Sequence, residues 1–229
     1  MARVLVPLPD TDFDVTEVAV PWKLLTEAGH EVVFATEHGA VPTADPLLLT
    51  GVLFGKLGAE PEPAAFYREI DFAPVTWAST DTSYDALLLP GGHAPGMRQY
   101  LGSELLQDKV RDFWATGKPV AAICHGVLPL ARAGVLEGVR TSCLPKYMER
   151  TAYLTTAWRR GRYYRTYPAY VEDEVRASGA VVVDGPRELR RRGTRTDHSP
   201  AFVVEDGRYV SARWPGDAYL FAEKLLERL

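Results

Sequence analysis

A cysteine followed directly by a histidine, at the point where an apolar strand runs into glycine, is an arrangement for nucleophilic catalysis. Residues 119–126, Pro-Val-Ala-Ala-Ile-Cys-His-Gly, have that form. The thiol supplies the nucleophile and the imidazole moves its proton. Ala122 and Gly126, two positions either side of Cys124, are the small residues that a nucleophile elbow needs where its strand turns sharply into a helix. Apolar spacing over residues 127–133, closed by Gly134, predicts that helix. Its first free N–H groups face the thiol, so the expectation is a depressed thiol pKa. Adjacent side chains diverge on a regular helix or strand. The pairing of Cys124 with His125 therefore depends on the elbow.

A second glycine turn fits the same chemistry. Tyr84-Asp-Ala-Leu-Leu-Leu-Pro90 reads as a buried strand, and Gly91-Gly92-His93 follows it. The two glycines carry no side chain to block their amides. The expected oxyanion hole takes one N–H from Gly92 and one from His125, with Gly91 beside them. A third, acidic residue should orient His125. The sequence does not name it, and the expectation falls on Glu149, with Glu172 and Asp173 behind it.

Leu-Leu-Leu-Pro-Gly-Gly-His paired with Ala-Ile-Cys-His-Gly, about thirty residues apart, resembles the ThiJ/PfpI group of the class I glutamine amidotransferase-like superfamily. The likeness runs over nearly the whole chain. Thr16-Glu-Val-Ala-Val-Pro-Trp22 resembles that family's amino-terminal helix with its active-site glutamate, and Phe202-Val-Val-Glu-Asp-Gly-Arg208 its carboxy-terminal hairpin. The resemblance implies that Glu17 lies beside Cys124. It also implies a flavodoxin-like, glutamine amidotransferase-like fold and cofactor-independent chemistry of the glyoxalase III or deglycase kind. The distant His-x-Glu of glutamine amidotransferases is missing: the only histidine downstream of the elbow, His198, is followed by Ser199 and Pro200. A glutaminase working with a synthase is thus not expected.

The elements that must position these residues follow from pattern. Apolar strands alternating with helical segments predict an α/β fold, doubly wound, with a mostly parallel sheet and helices on both faces. Strands are expected at 3–8, 31–36, 86–89 and 120–123, with later ones at 180–184 and in a hairpin around Glu205-Asp-Gly-Arg208. Helices are expected at 16–28, with Pro21 kinking it or marking its first turn, at 103–115 with Ser103 as cap, and at 145–160, 171–177 and 217–229. A mostly helical insertion is expected around 45–75 of a single domain spanning 1–229. In such a sheet the ligand crevice lies beyond the carboxyl ends of the strands, where residues 9–14, 91–93 and 124–125 converge.

Composition bounds the rest. At 229 residues and 46% hydrophobic content the chain buries a large core, and a net charge of −4 gives no reason to expect nucleic acid or an anionic membrane as partner. Cys124 and Cys143 have neither disulfide nor Cys-x-x-Cys spacing, and no span of about 18 apolar residues exists. The expectation is a cytoplasmic homodimer acting on a small-molecule substrate, without metal or nucleotide cofactor. Five arginines in residues 187–195 read as a solvated loop, with a phosphate clamp the lesser reading. The aromatics of 158–170 read as packing, with Tyr163 or Tyr164 a lesser candidate for lining the pocket.

Two functions fit these residues. One is a cysteine-nucleophile enzyme, a lyase or hydrolase acting on reactive carbonyl compounds or on small amides and peptides. The other is a non-catalytic redox sensor or chaperone built on an oxidisable Cys124 beside Glu17.

Overall fold

The computed structural model describes every residue except Lys56. Its strands are β1 (Arg3–Pro7), β2 (Thr11–Phe13), β3 (Glu31–Thr36), β4 (Thr43–Ala44), β5 (Val75–Thr76), β6 (Ala86–Leu89), β7 (Val120–Ile123), β8 (Arg140–Thr141), β9 (Val181–Val182), β10 (Val203–Asp206) and β11 (Tyr209–Ala212). Its α-helices are α1 (Val15–Glu27), α2 (Pro46–Thr50), α3 (Pro61–Glu69), α4 (Met97–Gly102), α5 (Glu104–Ala115), α6 (Leu128–Arg132), α7 (Lys146–Arg160), α8 (Val171–Ala177) and α9 (Ala218–Leu226).

Seven strands make the central sheet in the order β10-β11-β7-β6-β1-β3-β5, all parallel except the β10–β11 hairpin. The fold is the doubly wound, mostly parallel α/β sheet expected. β6 and β7 are buried along their whole length, which is why they read as unbroken apolar runs rather than as alternating ones. Helix α1 packs on α3 and α9, and α5 packs on α6, so the sheet is covered on both faces. The pairing of Leu89 with Ala122 and of Ala212 with Ile123 brings the carboxyl ends of β6, β7 and β11 level. Cys124 leaves the sheet there.

Three local readings change. Pro21 sits in the middle of α1, and the helix continues past it to Glu27. The strand at 180–184 shrinks to β9, which pairs with β8 in a separate two-stranded sheet; Val181 is half exposed, and a strand of the central layer would be covered. The insertion holds two short helices, α2 and α3, each opened by a proline that donates no N–H and so fits the first turn. Among the described residues no helix is long and apolar enough to cross a membrane.

Candidate active site

The elbow begins with the backbone of one residue. Ile123 is extended, with φ −129° and ψ 141°, and Cys124 then takes φ 60°, the left-handed region that costs a non-glycine residue about 1–2 kcal/mol. The chain continues through a 3₁₀ turn, Cys124–Val127, into α6. Gly126 makes the turn possible: a Cβ there would lie 2.1 Å from the Leu89 carbonyl oxygen. The distorted turn also solves the divergence of neighbouring side chains. Cys124 Sγ lies 3.4 Å from His125 Nδ1, and the two residues are 5% and 1% exposed.

Glu17 reaches the same point from α1. Asp14, the helix N-cap, accepts from the amides of Thr16 at 2.8 Å and Glu17 at 3.1 Å, and so fixes the first turn that carries the glutamate. Glu17 has no solvent exposure. Its Oε2 accepts the Gly91 N–H at 2.7 Å, and its carboxyl is close enough to the Cys124 thiol for each to shift the other's titration. Its Oε1 is buried and has no hydrogen-bond partner among the described residues. Gly91 has no room for a side chain, since a Cβ would meet the His125 amide nitrogen at 2.7 Å. The Gly91 amide is thus committed to Glu17, and the expected oxyanion donors narrow to Gly92 and His125. The loop converges as the sheet topology requires, with Asp14 N–H donating to the Gly91 carbonyl at 2.9 Å.

Burial governs the electrostatics. It holds the Glu17 carboxyl well above the usual carboxylate range, and the nearby Asp14 carboxyl adds to this. The Cys124 thiol is pushed up as well, first by burial and then by Glu17 and Asp14. That is opposite to the depressed thiol expected from the helix amino terminus. The helix concerned is a single 3₁₀ turn followed by five residues, too short a dipole to offset a buried site lined by carboxyls. His125 is held well below its ordinary value by burial, with His93 and Arg132 adding to it, and is therefore neutral at pH 7. At rest the site holds a neutral thiol and a neutral imidazole, beside a carboxyl whose burial favours its protonated form.

Glu149 is near but differently engaged. It offers a carboxylate oxygen within 4.8 Å of imidazole nitrogens of His93 and His125. Its Oε1 accepts from Arg165 Nη1 at 3.1 Å and its Oε2 from the Val171 amide at 2.9 Å. Among the described residues it has no hydrogen bond to His125, so its carboxylate neither orients the imidazole directly nor stands free for a metal. Glu172 binds the Lys146 amide and Arg176, and Asp173 binds Lys146 Nζ, which takes both out of the site.

Sequence reasoning passed over the ring of His93. It packs on His125 with centroids 4.7 Å apart, and Tyr164 packs on its other side at 5.5 Å. The Tyr164 hydroxyl donates to Asp45 at 3.0 Å, tying the segment after α7 to the start of the insertion. Tyr164 therefore packs against the ring of His93. The signal that was available is position: His93 follows the two glycines whose loop was already assigned to the site.

Comparison with known proteins places this geometry. The family model described as ThiJ/PfpI family-like matches residues 8–188. A deglycase of Pyrococcus abyssi is 29% identical over 227 residues, covering 99% of each chain, and the deglycase PfpI of Pyrococcus furiosus is 28% identical over 222 residues, covering 97% of this chain and 96% of its own. Among solved structures, glyoxalase III from Candida albicans shares the fold with a TM-score of 0.73 at 19% identity, covering 100% of this chain and 97% of that one.

Proposed function

The chain belongs to the ThiJ/PfpI family, and from that premise we propose that it is a cysteine-dependent enzyme acting on small reactive carbonyl compounds, with Cys124 as nucleophile. One observation carries the reading: a thiol on a left-handed elbow, 3.4 Å from a neutral imidazole and beside a wholly buried glutamate. Deglycases among its relatives and a glyoxalase III among its structural neighbours support the same substrate class. Cys124 is 5% exposed, which suits a small aldehyde better than a peptide.

The chemistry follows from the protonation states. His125 Nδ1 takes the thiol proton as sulfur attacks the aldehyde carbon, and the alkoxide that forms is held by the Gly92 and His125 amides. Glu17, protonated at rest, has its free Oε1 placed to donate to the sulfur whenever it carries charge. With a 2-oxoaldehyde, transfer of the C1 hydrogen to C2 as a proton turns the thiohemiacetal into a thioester. Water then releases a 2-hydroxy acid and restores the thiol. Aldehyde carbon is oxidised and ketone carbon reduced within one molecule, so no external oxidant is required.

Purified protein is expected to convert methylglyoxal to lactate without added cofactor, and Cys124→Ala to lower that rate by about 10³-fold or more while melting near the wild type. Retention of a tenth of the rate would remove Cys124 as nucleophile. Turnover of small amides but not of methylglyoxal would move the protein to the hydrolases.

A further inference from the structure

We infer that His93 is a second catalytic imidazole, which donates a ring N–H to the second carbonyl oxygen of a vicinal dicarbonyl substrate. The inference rests on the carbonyl-enzyme reading above and assigns a residue that reading does not use. His93 Nε2 is buried and has no hydrogen-bond partner among the described residues, which is costly for a ring nitrogen unless a ligand completes it. The same ring lies 4.7 Å from His125, whose Nδ1 faces the nucleophile. On this inference a carbonyl carbon attached to Cys124 sulfur has its neighbouring carbon, and the oxygen on it, on the His93 side of His125.

Charge develops on that oxygen. When base removes the C1 hydrogen of the thiohemiacetal, the C–H electron pair forms a C1–C2 double bond and the C2 carbonyl pair moves onto its oxygen. To reach the thioester, the C1 hydroxyl gives up its proton and its pair forms the C1 carbonyl, the C1–C2 pair takes up the proton at C2, and the C2 oxygen is protonated to the product hydroxyl, so that oxygen is an anion only in between. A preorganised donor at this place stabilises the step and leaves ground-state binding nearly unchanged. Burial and Arg165 bring His93 down to about 4, so at pH 7 it is a neutral donor and does not protonate the substrate outright. The groups that face it agree with this: Arg165 from the segment after α7, His125 from the elbow, Tyr164 packed edge-on, and Glu149 already paired with Arg165. The ring is held by the loop as well, since the Thr166 hydroxyl donates to the His93 carbonyl.

Two substitutions separate donation from packing. His93→Gln keeps an N–H donor and loses the ring, whereas His93→Phe keeps the ring and loses the donor. With methylglyoxal as probe, Phe is expected to lower kcat by about 10²-fold with KM changed little, and Gln to recover at least a tenth of the wild-type kcat. Melting temperature and the rate of Cys124 alkylation by iodoacetamide check that fold and thiol are intact; if His93→Phe does not fold, His93→Leu takes its place. Phe as active as Gln or more so overturns the inference and leaves the Cys124 reading standing. A wild-type protein inactive on methylglyoxal overturns that reading and the inference with it.

Discussion

Asp217 and Glu17 are both fully excluded from solvent, and their surroundings are opposite. Asp217 accepts from the Phe202 amide at 2.9 Å, from the Arg213 amide at 3.1 Å, and from Arg213 Nε at 2.8 Å and Nη2 at 2.7 Å. Arg213 also donates from Nη1 to the Pro186 carbonyl and from Nη2 to the Pro200 carbonyl. Every atom of that carboxylate is used, and its partner pins two loops beneath the sheet edge. Among the described residues Glu17 has one amide on one oxygen, a thiol nearby, and no cation paired with it. The difference teaches what each group is for. A buried charge that is completely paired holds structure, and on the function proposed above a buried carboxyl left incomplete beside the strained Cys124 is held ready for chemistry.

The contrast breaks first at Asp217. Asp217→Asn leaves Arg213 buried without its counter-charge and is expected to lower stability by about 3–5 kcal/mol, read from denaturant unfolding, with the turnover of the folded fraction unchanged. Glu17→Gln is expected to do the reverse. It keeps the shape and loses the acid, so turnover falls by about 10²-fold while the protein melts at or above the wild-type temperature. Equal losses of stability in both variants would erase the distinction. The smallest effect sharpens it through pH. Burial pushes Asp14 up to about 6 from 3.8, so the folded state favours its protonated form and the stability it contributes is lost as pH rises through that window. Asp14→Asn keeps the helix cap and removes the titration. Its melting temperature relative to wild type is expected to climb between pH 4 and pH 6, and a flat difference would place the shifted acid elsewhere.

Local pattern made the elbow legible. Cys124, with small residues two positions to either side at the end of an apolar strand, announced a turn that the φ of 60° realises. Ser103 was likewise legible as a cap, and its hydroxyl accepts from the Leu106 amide at 3.2 Å. Glu17 needed the family resemblance, because a single acid in a first helical turn looks like a surface residue until the helix is docked. Asp14 was passed over as a cap although Asp-x-x-Glu17 carries the spacing of a capping box. The partners of Glu149, Arg165 and His93 were beyond reach for a different reason. Their relations join residues 16 and 73 positions apart through the loop after α7, and no periodicity encodes which carboxylate an arginine on that loop will take. The thiol pKa was misjudged for a related cause: the helix amino terminus is local and visible, whereas the carboxyls that surround the sulfur arrive from α1.

The protonation state of Glu17 carries the whole account, since a carboxylate there would face a buried thiol with nothing to balance it. An infrared difference spectrum between wild type and Glu17→Gln at pH 7 tests it directly. The account predicts that wild type shows the carbonyl band of a protonated carboxylic acid that the variant lacks. Carboxylate bands in its place, with no protonated carbonyl lost on substitution, would contradict it.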